Sequence, residues 1–128
     1  MQPPTVLIAD DDSVSMYLLR HCLTQAGFTV CCALDGREAL SLMQQARPAL
    51  VVLDVMMPVM DGLEVLRRAK ADAALRAIPV IMVTSREQDA DILEAIKIGA
   101  ADYLVKPFVP AEFLARVARI IADHRRAA

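Results

Sequence analysis

At 128 residues the chain is sized for one domain, and a 56% hydrophobic, 23% charged composition gives it both a core and a solvated surface. A net charge of −2 argues against a dedicated nucleic-acid binder, which usually carries a basic face. The N-terminus lacks the basic and apolar pattern of a leader, and no apolar run approaches the roughly 18 residues that span a bilayer.

Short apolar runs alternate with longer amphipathic stretches. The first run, Thr5 to Ala9, is followed by Asp10, Asp11 and Asp12. Asp12 or Ser13 is placed to cap a first helix, in which Val14, Leu18, Cys22 and Ala26 recur every fourth residue before Gly27. A second run, Thr29 to Ala33, precedes a helical segment from Gly36 to Ala46 with Ala39, Leu40 and Met43, closed by Pro48. Leu50 to Leu53 leads to Asp54, and Leu63, Leu66 and Ala69 follow Gly62. Val80 to Val83 leads to Thr84 and Ser85; Ile92, Ala95 and Ile96 then form a fourth helix stopped at Gly99. Tyr103 to Val105 leads to Lys106, and Pro110 starts a fifth helix with Phe113, Leu114, Val117, Ile120 and Ile121.

Most of the runs lack in–out alternation, as expected for strands of a parallel sheet covered on both faces. Five strands alternating with five helices predict a doubly wound α/β fold over residues 1–122. Residues 123–128 read as a polar tail or the start of a linker. Cys22, Cys31 and Cys32 show no metal spacing; adjacent Cys31 and Cys32 point to opposite faces of a strand, as small residues in a reducing compartment.

In such folds ligands lie beyond the C-terminal ends of the strands. Those ends carry Asp10, Asp11 and Asp12, then Asp54, then Thr84, then Lys106. If the first, third, fourth and fifth strands lie side by side, these groups converge. Carboxylates 4–6 Å apart repel by about 3–4 kcal/mol per pair at an effective dielectric of 20, so such a cluster takes up protons or binds a cation. Oxygen ligands suit Mg2+ or Mn2+ rather than a soft metal. A nearby ammonium and hydroxyl can grip phosphoryl oxygens. Each residue alone has an ordinary alternative: Asp54 as a turn residue, Lys106 as a solvated loop lysine. Their joint placement is what carries meaning.

The segments Val6 to Asp12, Val52 to Pro58 with Met60-Asp61-Gly62, Ile78 to Ser85 and Gly99 to Phe108 resemble, in order and spacing, the receiver domain of two-component response regulators, from about Thr5 to Ala122. The resemblance implies a flavodoxin-like strand order 2-1-3-4-5. It implies that Asp54 is the phosphoacceptor, Asp11 a direct magnesium ligand, Asp10 an acid holding the ion partly through water, and Met56 a backbone-carbonyl ligand. It implies that Thr84 and Lys106 bind the phosphoryl group, that Tyr103 changes rotamer when Thr84 moves, and that the Lys106–Pro107 bond is cis.

The implied activity is that of a regulatory switch, not a metabolic enzyme. Asp54 takes a phosphoryl group from a sensor histidine kinase or phosphotransfer protein, and the surface of the fourth helix, fifth strand and fifth helix is remodelled toward an output domain or downstream protein. The setting implied is cytoplasmic, with no direct nucleic-acid or membrane contact, as a monomer or weak dimer. Met56 and Arg86 stand where family members differ in phosphoryl lifetime, and Ser85 where Ala is frequent. Asp102, Glu112 and Arg116 resemble part of a dimerising subgroup's salt-bridge set, but Ala101 and Ile92 occupy charged places of that set.

A rival reading takes Asp10-Asp11-Asp12-Ser13-Val14 as the nucleophile motif of a haloacid-dehalogenase-type phosphohydrolase, with Asp10 attacking. The chain is short for that enzyme and leaves Asp54 without a role. A flavin-mononucleotide module is opposed by three aspartates where a phosphate loop belongs, and a receiver fold serving only as a scaffold is opposed by the full acid, Thr and Lys set. His21 and His124 have no catalytic partner spacing, and Arg125-Arg126 reads as solvated.

Overall fold

A computed structural model describes residues 3–84 and 89–127. Five strands, β1 (Thr5–Ala9), β2 (Thr29–Ala33), β3 (Leu50–Asp54), β4 (Val80–Thr84) and β5 (Asp102–Val105), alternate with α1 (Ser13–Gln25), α2 (Gly36–Ala46), α3 (Gly62–Ala71), α4 (Asp89–Ile98) and α5 (Pro110–Ala127). All strand pairs are parallel, and the sheet order is β2-β1-β3-β4-β5.

The central strands β1, β3 and β4 are apolar over most of their length because helices cover both faces. Val6, Ile8, Val52, Ile81 and Val83 face Leu19 and Leu23 of α1 and Phe113 and Val117 of α5. Leu7, Val51, Leu53 and Met82 face Ala39 and Met43 of α2, Leu66 and Ala69 of α3, and Ala95 of α4. The chain therefore winds one way after β1 and the other way after β3. The crevice where the winding reverses lies between the C-terminal ends of β1 and β3, the expected place for a ligand.

Aspartates start three of the helices. Asp12, Asp35 and Asp61 accept N–H groups from the first turns of α1, α2 and α3. Gly27 (φ +95°) ends the first helical unit as expected.

Some apolar stripes differ from the expectation. On α1, Val14 is 65% exposed and Leu18 47%, while Ser15, Leu19 and Leu23 are buried. A strict four-residue row advances about 40° around a helix at each step, so it leaves the buried face within two turns. On α4, Ile92 and Ala95 are buried but Ile96 is exposed. Residues 123–127, read as polar tail or linker, continue α5 as its last turns. Cys31 packs on the α2 side of the sheet while Val30 packs on the α1 side. The three cysteines are free, and burial raises the Cys31 and Cys32 thiols above their ordinary range. Among the described residues, no helix is long and apolar enough to cross a membrane.

Candidate functional site

The strand register brings the polar strand ends together. Ala9 pairs with Leu53, so the next step on each strand sets Asp10 beside Asp54. Asp54 is level with Val83, and Thr84 follows. Thr84 pairs with Val105, and its carbonyl accepts the Lys106 N–H at 2.7 Å. Asp10, Asp54 and Thr84 are all buried, an unusual place for two carboxylates without compensation.

Asp10 is held from two sides: its N–H donates to the Ala33 carbonyl at 3.1 Å, and its Oδ1 accepts the Asp12 N–H at 2.9 Å. The other oxygen, Oδ2, faces the Lys106 ammonium at 3.1 Å. Asp54 accepts the Met56 N–H on Oδ1 at 3.3 Å and faces the same ammonium through Oδ2 at 3.3 Å. Lys106 thus bridges two acids from different strands. The bond from Lys106 to Pro107 is cis, as the resemblance implied.

Asp10, exposed Asp11 and Asp54 each offer a carboxylate oxygen within 4.8 Å of the others. Octahedral Mg2+ with bonds of about 2.1 Å sets ligand oxygens roughly 3–4 Å apart, so a small contraction, or a water replacing one carboxylate, suffices. The donor set is all oxygen and anionic, which fits Mg2+ or Mn2+ and not a thiophilic metal. Asp12 stands apart from the cluster. It caps α1, accepting Val14 N–H and Ser15 N–H at 3.3 Å each and the Ser15 hydroxyl at 2.9 Å.

The electrostatics follow from burial. Desolvation, then the adjacent Asp10 charge, pushes Asp54 up to about 6, and Lys106 offsets only part of this. For Lys106, burial acts downward, but hydrogen bonds to Asp10 and Asp54 and their charges prevail, and its pKa is raised. One cation therefore does not neutralise the site, and a divalent ion would relieve the remaining repulsion.

Other expected residues fall as follows. Met56 lies two residues after Asp54 in sequence, with its side chain 62% exposed. Tyr103 on β5 is 38% exposed, turned away from the core. Arg116 of α5 donates to the Tyr103 carbonyl at 2.8 Å, to Asp102 at 2.9 Å and to Glu112 at 2.7 Å. Arg119 also reaches Asp102, at 3.2 Å. Sequence reading missed that last pairing, although Arg119 lies one helical turn beyond Arg116. His21 stacks on Tyr17, with ring centroids 6.0 Å apart. Ser85 and Arg86 lie outside the described residues.

The family model for the response regulator receiver domain matches residues 6–118. The alkaline phosphatase synthesis transcriptional regulatory protein PhoP of Bacillus subtilis is 37% identical over 91% of this chain and 48% of its own length. The transcriptional regulatory protein PrrA of Mycobacterium tuberculosis is 43% identical over 92% of this chain and 50% of its own length. The chain thus spans about half the length of these curated relatives. Among solved structures, the receiver domain of a sensor histidine kinase from Pseudomonas aeruginosa PAO1, described with a magnesium ion coordinated in its active site cleft, superposes with a TM-score of 0.87. It is 28% identical, and the match covers 94% of this chain and 98% of that one.

Proposed function

The chain belongs to the response regulator receiver domain family, and on that footing we propose that it accepts a phosphoryl group on Asp54 in a Mg2+-dependent reaction. The observation that carries this reading is the convergence of Asp10, Asp11 and Asp54 within 4.8 Å, with Lys106 within 3.3 Å of Asp54.

The convergence of these side chains supports the roles that the family resemblance implies. Asp10, Asp11, Asp54 and the Met56 carbonyl would hold the ion, Asp10 partly through water. The ion supplies charge neutralisation for the phosphoryl oxygens in a loose transition state. One Asp54 oxygen attacks phosphorus as the P–N bond of a phosphohistidine breaks, and the histidine leaves with the bonding pair. Lys106 is positioned to follow the incoming oxygens, since it already lies against Asp54. Thr84, at the next strand end, binds a phosphoryl oxygen through its hydroxyl. Water later hydrolyses the acyl phosphate, so the domain catalyses its own modification and acts as a switch.

The output step is part of the same proposal. Movement of Thr84 toward the phosphoryl group leaves room for Tyr103 to turn inward from its exposed position, remodelling the surface of α4, β5 and α5. The donor is a sensor histidine kinase or phosphotransfer protein, and the receiver of the signal is an output domain or downstream protein. Free thiols at Cys22, Cys31 and Cys32 go with a cytoplasmic setting. Asp102 and Glu112 pair with Arg116 within the chain, which goes with a monomer or weak dimer.

The test is incubation with phosphoramidate or acetyl phosphate plus Mg2+, followed by intact mass. Gain of one phosphoryl group that needs Mg2+ and disappears in Asp54→Asn supports the reading. Labelling that survives Asp54→Asn but is lost in Asp10→Asn would move the nucleophile to Asp10, as in the phosphohydrolase alternative.

A further inference from the structure

The connection between β3 and α3 has a backbone that its residues do not favour unaided. Val59 sits at φ +69°, in the left-handed region, where a β-branched side chain is a genuine outlier. The Met60 N–H donates to the Pro58 carbonyl at 2.7 Å, so Val59 is the centre of a three-residue γ-turn of the strained, positive-φ kind. Its side chain is 73% exposed, so burial of that side chain does not offset the strain. Such a conformation persists only where the surroundings impose it.

Two glycine contacts impose it. The Gly62 N–H donates to the Val55 carbonyl at 2.8 Å, and a Cβ on Gly62 would overlap the Asp54 carbonyl oxygen. Val55 is itself tied to β4, its N–H donating to the Val83 carbonyl at 3.2 Å. Both ends of the loop are therefore fixed at the sheet. Outside the loop, Gly36 at the start of α2 packs so tightly on Met60 that a Cβ there would overlap the Met60 carbonyl oxygen. α2 supplies no residue to the acidic cluster, yet it bears on the loop that carries Met56.

We propose that Gly36 is a positioning residue for cation binding, and that Val59 takes its strained turn because the packing around the loop imposes it. The α2 contact with Met60 holds the γ-turn, and the γ-turn sets where the Met56 peptide lies against Asp54. The proposal rests on the reading in which the acidic cluster holds a divalent ion. Because the loop ends are fixed, a displacement of Met60 is taken up within residues 56–61, the stretch in which the Met56 N–H donates to Asp54 at 3.3 Å. Outer support of this kind typically changes metal affinity by about 10–100-fold.

The experiment is a Mg2+ titration of the full chain, followed by backbone amide NMR shifts, with melting temperatures measured without metal. Val59→Gly, which takes φ +69° without strain, is expected to keep both the fold and the Mg2+ affinity. Gly36→Ala is expected to weaken Mg2+ binding about tenfold; where it does not fold, Met60→Gly, which removes the Met60 side chain beside Gly36 and frees the turn, is expected to weaken it likewise. Gly27→Ala is the control. Gly27 has φ +95° with nothing near an added Cβ, so that variant lowers the melting temperature through backbone strain and leaves Mg2+ affinity unchanged. Unchanged affinity in folded Gly36→Ala, or in Met60→Gly where Gly36→Ala does not fold, overturns the proposal. An affinity loss in Gly27→Ala equal to that of the deciding variant overturns it too, by reducing the effect to general stability. A wild-type chain that binds no Mg2+ removes the underlying reading itself, an outcome distinct from both.

Discussion

Lys106 places its ammonium 3.3 Å from Asp54, although 52 residues separate them in sequence. The same ammonium lies 3.1 Å from Asp10. One cation facing two buried acids leaves the site under-neutralised, and four outcomes follow from that imbalance and from the packing around it.

Asp54→Asn stabilises the metal-free protein at neutral pH. Burial and the Asp10 charge raise Asp54 from 3.8 to about 6. The folded state therefore holds its proton more tightly than the unfolded state. The resulting penalty is full above pH 6, fades between pH 6 and 4, and is absent below. Chemical denaturation at pH 7.5 should show a gain of about 2–3 kcal/mol for Asp54→Asn, shrinking toward zero at pH 4.

Mg2+ raises stability in a concentration-dependent manner, because it binds the folded cluster and not the dispersed acids of the unfolded chain. The effect weakens as pH falls through about 6, where Asp54 takes up its proton and the ion must displace it. Melting curves over a range of MgCl2 concentrations at pH 5 and pH 8 test this. An equal shift at both values would count against Asp54 as a ligand.

Lys106→Met destabilises the metal-free protein. The ion pairs raise the Lys106 pKa, so titration of Lys106 itself removes its contribution only as pH rises above 10.5 through the raised value. Removing it leaves Asp10 facing Asp54 unscreened, at a cost of about 1–3 kcal/mol at pH 7. The loss should shrink at pH 4 as Asp54 protonates, and urea denaturation at both pH values measures it.

Phe113→Ala and Arg116→Ala separate packing from surface charge. Phe113 is fully buried and lies 5.4 Å from the Phe108 ring, so its truncation costs about 3–5 kcal/mol. Arg116 is partly exposed and makes ion pairs with Asp102 and Glu112, for which about 1 kcal/mol or less is expected. Urea midpoints of the two variants, at equal slope, provide the comparison.

The candidate site was legible because parallel strands place their last residues in one plane. Asp10, Asp54, Thr84 and Lys106 could be paired before any geometry was known, once apolar runs had marked where strands end. The α1 surface was not legible from a four-residue row alone: Ser15, a polar residue, is buried beside Asp12, while Val14 faces solvent. The Gly36–Met60 contact was equally hidden, since nothing local to either residue signals that α2 will land on the β3–α3 loop. Nor does a Val in the sequence announce φ +69°; that conformation comes from tertiary closure of the loop, against local preference.

The most direct measurement is borohydride trapping after exposure to phosphoramidate and Mg2+. Reduction of an aspartyl phosphate yields homoserine, and peptide sequencing by mass spectrometry then locates it. Homoserine at position 54, dependent on Mg2+ and absent from untreated protein, is the expected result. Homoserine at position 10, or none at any position in a chain shown to bind Mg2+, would contradict the account.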